Sequence, residues 1–198
     1  MNTGASPLPA KQQQKQDAIL LAALTLFAQK GFHGAAVPDV AKLADVGTGT
    51  IYRYFASKEE LVNAVFRRAK SILRDTLMEG GFDFALPART LFHQFWERLT
   101  RFADIYPQEF HFLEMQDHLP YLDDESRQIE LQVLLPIWHF CVEARAKGTA
   151  RAIEPGVLMA LIWGAFVGVR KAAYNGYLSL SRESLEQAEE ACWAMFAR

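Results

Sequence analysis

At 198 residues, with 51% apolar and 12% aromatic side chains, the chain has ample material for a buried core in one large or two small domains, which excludes a disordered protein. The net charge of -2 favours no partner by itself, but it is unevenly spread: residues 1–70 hold nine Lys/Arg against five Asp/Glu, hence +4, and residues 71–198 hold twelve against eighteen, hence -6. Cys141 and Cys192 are the only cysteines, which makes neither a disulfide framework nor a zinc spacing and favours a reduced, cytoplasmic compartment.

Met1 to Ala10 contains Pro, Gly and Ser and lacks the charged start and apolar run of a signal peptide, so residues 1–11 are expected as a disordered tail. Helical periodicity dominates the rest, with no convincing strand alternation, and predicts an all-α protein of about nine helices. The first runs from near Gln12 to Lys30, with Ile19, Ala22, Ala23, Leu26 and Phe27 on one face and Gly31 as its stop. Between Pro38 and Leu61 two short helical patterns are separated by Ala44-Asp45-Val46-Gly47. The first is anchored by Val40, Ala41 and Leu43, and Asp45 tolerates the left-handed backbone that a tight break requires. Gly47 opens the second, which buries Ile51 and Phe55 and leaves Thr48, Thr50, Tyr52, Arg53 and Tyr54 nearer the outside. Hydroxyls and a guanidinium on a short exposed helix suit phosphates and base edges, so the pair reads as a helix-turn-helix.

A fourth helix starts at Ser57, where Ser57 and Glu60 have capping-box spacing, and runs through Leu61, Val65 and Leu73 to Gly80-Gly81. The loop from Gly80 to Pro87 is the expected boundary, because glycines and a proline coincide with the change in charge balance. The domains are then 12–56, a helix-turn-helix domain; 57–79, a connecting helix; and 80–198, a helical ligand-binding and dimerisation domain. Helices are expected near Ala88–Ile105, Pro107–His118, Asp124–Lys147, Glu154–Tyr177 and Ser181–Ala197. Pro136 should kink or divide the third of these and open space for a ligand. The longest apolar run, Gly156 to Val169, falls short of the roughly 18 residues of a membrane span and should be a buried helix.

The residues Leu26-Phe27-Ala28-Gln29-Lys30-Gly31-Phe32, Asp39-Val40-Ala41, Gly49-Thr50-Ile51-Tyr52-Arg53-Tyr54-Phe55 and Ser57-Lys58-Glu59 resemble the N-terminal pattern of the TetR family of bacterial transcriptional regulators. The resemblance implies a DNA-binding surface of Gly47, Thr48, Gly49, Thr50, Tyr52, Arg53, Tyr54 and Lys58. Tyr52 would lie near base edges, Thr50, Tyr54 and Lys58 chiefly on phosphates, and Thr48 and Arg53 at the family's variable, sequence-reading positions. Lys58 also suits a phosphate unaided, at a helix start with free N–H groups. The chain departs from the pattern at Ala35 and Ala36, where the family usually has a Thr or Ser cap, at Asp45 in place of the turn glycine, and at Gly47 in place of a serine cap. Pro38 presets the first turn and removes a position from which some relatives contact a base.

The second half is rich in aromatics, and a drug-sized pocket needs such a lining with a few polar groups. Trp96, Phe110, Met115, Trp138 and Trp163 are the expected apolar ligand contacts. His111, Glu114 and His118, at i, i+3 and i+7, put two imidazoles and a carboxylate on one helix face, either as plain structural or surface residues or as polar anchors for a ligand. A metal site there would need a further ligand from His93 or His139; no metal and no cofactor is expected. Ala160, Gly164, Gly168 and Ala172 form a small-residue stripe, and Leu185, Ala188, Cys192 and Met195 a matching apolar face on the last helix. The family's last two helices form a four-helix dimer interface, so the expected interface is Ala160, Gly164, Gly168, Leu185, Ala188, Cys192 and Met195.

These features lead to the expectation of a cytoplasmic homodimeric repressor, bound to an inverted-repeat operator in double-stranded DNA and released by a small apolar or aromatic effector, with no membrane partner. The alternatives are an activator or ligand-independent regulator and, in another class, a helical metal-binding protein or enzyme centred on His111, Glu114 and His118. Against an enzyme stand the missing phosphate-binding glycine loop, nucleophile motif and complete metal set.

Overall fold

A computed structural model describes residues 10–198; the expected tail lies outside them over residues 1–9, while Ala10 and Lys11 are already helical. The described residues form nine α-helices: α1 Ala10–Gly34, α2 Val37–Leu43, α3 Thr48–Tyr54, α4 Lys58–Met78, α5 Ala88–Ile105, α6 Pro107–Met115, α7 Asp124–Ala146, α8 Pro155–Tyr174 and α9 Arg182–Phe196. A 3-10 turn at Leu119–Tyr121 follows α6, and one isolated bridge joins Ala150 to Ala197. The all-α expectation therefore holds.

The helices form two compact units, one of residues to Ala69 with Gln108–Ser126, the other of Lys70–Pro107 with Arg127–Arg198. The division falls inside α4 and assigns nearly all of α6 to the N-terminal unit, whereas the sequence places the boundary at residue 80 and α6 beyond it. Long-range packing is the reason. The Phe112 ring lies 6.3 Å from that of Phe27, the Gln116 amide donates to the Ala28 carbonyl at 3.1 Å, and Asn63 donates to the Tyr121 carbonyl at 2.7 Å. None of these pairings has a local signature.

In the N-terminal unit α1 buries Ile19, Ala23 and Phe27, one turn apart, against Val40, Ile51, Phe55, Leu61 and Val65 of the same core. Gly31, with φ 67°, breaks the helix as expected, but a further turn carries it to Gly34. Glycine is required there because φ 67° with ψ 178° is a backbone conformation that side chains with a Cβ rarely adopt. Helix α2 starts at Ala36 without a side-chain cap and with Pro38 in its first turn. Asp45, at φ 53°, is the one non-glycine with positive φ among the described residues, and the Val46 amide closes the turn on the Ala41 carbonyl at 3.0 Å. Ser57 accepts from the Glu60 amide at 3.2 Å while the Glu60 carboxylate accepts from the Ala56 amide at 2.6 Å, a reciprocal cap that fixes where α4 begins.

In the C-terminal unit the core is aromatic: Phe92, Trp96, Phe102, Phe166 and Phe196 are all nearly inaccessible. Pro136 neither divides α7 nor opens a cavity; α7 is assigned as one helix, and the space beside Pro136, among Phe82, Phe95 and Phe140, holds only about 10 Å³. Glu154 caps α8, and the N–H groups of Gly156 and Val157 hold its carboxyl below the usual carboxylate range. Helix α6 stops at Met115, before His118, and α8 stops at Tyr174 ahead of Gly176 at φ 77°.

The expectation of a buried helix over Gly156 to Val169 is corrected. Helix α8 is apolar and long enough to cross a membrane by length and composition, yet only 22% of its apolar window is buried within the chain. Its inner face, Leu158, Ile162, Phe166 and Arg170, repeats every four residues, and Arg170 donates to the Asp104 carboxylate at 2.6 Å. The other side, with Val157, Leu161, Gly164 and Gly168, is exposed.

Candidate DNA-binding surface and small-molecule grooves

The residues expected to meet DNA lie on α3 and at the start of α4. Ile51 and Phe55 are 1% and 3% exposed and clamp the helix to the core, which turns the intervening positions outward. Gly49, Tyr52 and Arg53 are exposed, Thr48, Thr50 and Tyr54 half-buried, and Gly47 is the extended residue ahead of the first turn. The N–H groups of that turn are left without a side-chain cap, a natural seat for a phosphate. Two side chains are held in ways the sequence did not disclose. The Tyr54 hydroxyl donates to the Gln12 carbonyl at 3.4 Å, and the Lys58 ammonium lies 4.4 Å from the centre of the Phe32 ring. Lys58 is thereby positioned at the start of α4 rather than left as a free surface charge. Phe32 in turn stacks on Tyr121 at 4.2 Å.

The expected ligand residues are divided between the two units. Phe110, His111, Glu114, Met115 and His118 belong to the N-terminal unit, and Trp96, Trp138 and Trp163 to the C-terminal one. Phe110 is buried and Met115 half-buried in the first unit; in the second, Trp96 is buried, Trp163 half-buried and Trp138 40% exposed. His118 lies beyond the end of α6, is 6% exposed, stacks 4.2 Å from Phe112 and is hydrogen-bonded through Nε2 to the Phe112 carbonyl. It is a core histidine beyond the end of α6, so it does not share that helix's face with His111 and Glu114. Burial holds the His111 imidazole below its ordinary value, against a hydrogen bond to Ala28 that acts the other way. The described residues instead gather His93, Glu97 and Glu189 within 4.8 Å of one another. Glu189 is buried and already held by Arg89 and by His93 Nδ1 at 2.9 Å.

Two grooves in the C-terminal unit are large enough for small molecules. One, of about 350 Å³, is walled by Phe84, Leu86, Pro87, Leu91 and Phe140 with Lys147 at its edge. The other, of about 440 Å³, lies between α5 and the start of α9 and is edged by carboxylates. The sequence pointed to Trp96 in the second but not to Thr100 or to Arg170 behind it; the available signal was an arginine directly after the apolar run of α8 and on the helix face of Leu158, Ile162 and Phe166.

Of the expected interface residues, Ala160, Gly164, Gly168 and Met195 are exposed and Leu185 and Ala188 half-buried. Cys192 is 4% exposed and faces its own core. Burial pushes its thiol up to about 11, and that of Cys141 to about 12, so both are inert thiols at neutral pH.

A short outward-facing helix on a clamped tri-helical base, followed by a separate helical unit, defines a helix-turn-helix DNA-binding regulator. The family model for bacterial regulatory proteins of the tetR family matches residues 19–65, and that for the tetracyclin repressor-like C-terminal domain matches residues 68–197. The HTH-type transcriptional regulator RutR of Escherichia coli is 33% identical over 172 residues, covering 83% of this chain and 80% of its own. An uncharacterized HTH-type transcriptional regulator of Haemophilus influenzae is 28% identical, covering 85% and 88%. Among solved structures, a TetR-family regulator from Haemophilus influenzae superposes with a TM-score of 0.75 at 25% identity, over 96% of this chain and 100% of that one. One from Marinobacter aquaeolei, at 21% identity, shares the fold with a TM-score of 0.80 over 94% and 97%. The chain belongs to the TetR family of bacterial regulatory proteins. It is a DNA-binding transcriptional regulator and, as a member of that family, not an enzyme.

Proposed function

We propose that the chain is a homodimeric repressor that holds an inverted-repeat operator through two copies of α3 and is released from it by a small apolar or aromatic molecule. The observation that carries the dimer is the unburied apolar side of α8. A surface of Val157, Leu161, Gly164 and Gly168 is costly to leave in water, and small residues let a second helix approach closely. A two-fold pair also answers the needs of the DNA, since one seven-residue helix spans too few base pairs for specific reading. The groove of about 350 Å³ with Phe84, Leu86, Leu91 and Phe140 supports an apolar or aromatic effector. Release requires that the effector favour the non-binding conformation, with a coupling of about 1–3 kcal/mol. A cytoplasmic site of action is part of this proposal.

The test is a gel-shift titration against the DNA upstream of the chain's own coding sequence, with sedimentation at micromolar concentration. Specific retardation by a dimer is expected. A monomer, or no preference over unrelated DNA, overturns the proposal.

A further inference from the structure

The groove between α5 and α9 is built differently from the apolar one, and it contains an unmet chemical demand. Trp96 and Thr100, one helical turn apart on α5, line it, and neither Trp96 Nε1 nor Thr100 Oγ1 has a hydrogen-bond partner. Arg170 lies behind them. It donates from Nη2 to the Thr100 carbonyl at 3.2 Å and from Nη1 to Asp104, while its Nε is likewise without a partner. The Phe166 ring ties the group together, 5.3 Å from the Trp96 ring and 5.4 Å from the Arg170 guanidinium. Trp96 is 1% and Arg170 9% exposed, so bulk water does not answer these atoms.

All three can donate, and two can do nothing else. What they lack is an acceptor oxygen. The groove's charge says which kind: Glu97, Asp104, Glu186 and Glu189 line it against Arg182, and Arg170 behind it is paired with Asp104, so the balance stays negative, an anion is disfavoured and an ammonium or amide N–H is welcome at the rim. We infer that this groove is a second small-molecule site, distinct from the apolar one, for a neutral or cationic compound that presents a carbonyl oxygen to Trp96 and Thr100, backed by Arg170, and an amine or amide N–H to Glu97. Amino-acid amides are the simplest members of that class. The volume of about 440 Å³ admits compounds well above that size.

Calorimetry on the full-length protein with three probes tests the assignment without reference to DNA. L-leucinamide carries both groups, isopentylamine the amine alone, and N-acetyl-L-leucine a carbonyl with a carboxylate. L-leucinamide should bind at least about fivefold more tightly than isopentylamine, as one or two hydrogen bonds imply, and N-acetyl-L-leucine should not bind. Trp96→Phe and Thr100→Val should each weaken L-leucinamide about fivefold and leave isopentylamine unchanged, whereas Glu97→Gln should weaken both amines. Glu97 is exposed, so its variant reports on the site even if a core change impairs folding. No binding of L-leucinamide, equal binding of the anion, or insensitivity to both Thr100→Val and Glu97→Gln overturns the assignment and leaves buried water as the partner of these atoms.

Discussion

Asp45 occupies the left-handed backbone at the break between α2 and α3 with no side-chain strain relief beyond its own short polar group. Asp45→Gly should therefore raise stability by up to about 1 kcal/mol, and Asp45→Val should lower it by about 1–2 kcal/mol, both read from urea midpoints. This residue was legible in advance because the constraint is local. His118 was not, since its fate rests on Phe112 and on the end of α6 at Met115, which no spacing rule discloses. His111 contributes to the pH dependence of stability near neutrality. Its folded imidazole titrates below the ordinary 6.5, so the unfolded chain binds the proton more readily. Stability attributable to it is present above about pH 6.5 and lost as pH falls toward the lowered folded value. The loss between about pH 7.5 and 5.5 should be smaller in His111→Gln, and an unchanged loss would assign it elsewhere.

At the scale of elements, the uncapped start of α2 is the plainest departure from the family pattern. Ala36→Ser should add less than about 1 kcal/mol in thermal or urea unfolding, because Pro38 has no N–H to offer a cap and the Asp39 amide already donates to the Ala36 carbonyl at 3.0 Å. On α3 and α4 the DNA contacts separate by kind. Arg53→Ala should relax preference at one base position and cost about 1–3 kcal/mol on the best site, whereas Lys58→Ala should weaken all sequences alike and lower the salt slope by about 1. Helix bounds were read closely from glycines, prolines and caps, as at Ala88–Ile105. What escaped was the environment of α8: apolar periodicity told that the helix is hydrophobic, while only the packed chain tells that most of it is uncovered. Gly164 has open space around it, so Gly164→Val leaves the single chain unstrained. If α8 meets a second copy, that substitution should dissociate the dimer in sedimentation while the circular dichroism stays that of the wild type.

For the molecule as a whole, the charge split between its halves and the helix-turn-helix announced a DNA-binding unit and a helical unit from sequence alone. The packing of residues 108–126 with the N-terminal helices rests on the long-range contacts of Phe112, Gln116 and Asn63, which no spacing rule discloses. The central claim is that two copies of α3 read one inverted repeat. Nuclease footprinting of the DNA upstream of the chain's own coding sequence tests it most directly. The account predicts protection of two half-sites related by a two-fold axis, about one helical turn or a multiple apart, abolished together by Tyr52→Ala and by Gly164→Val. Protection of a single half-site, or of an inverted repeat that persists in Gly164→Val when that variant is monomeric, would contradict it.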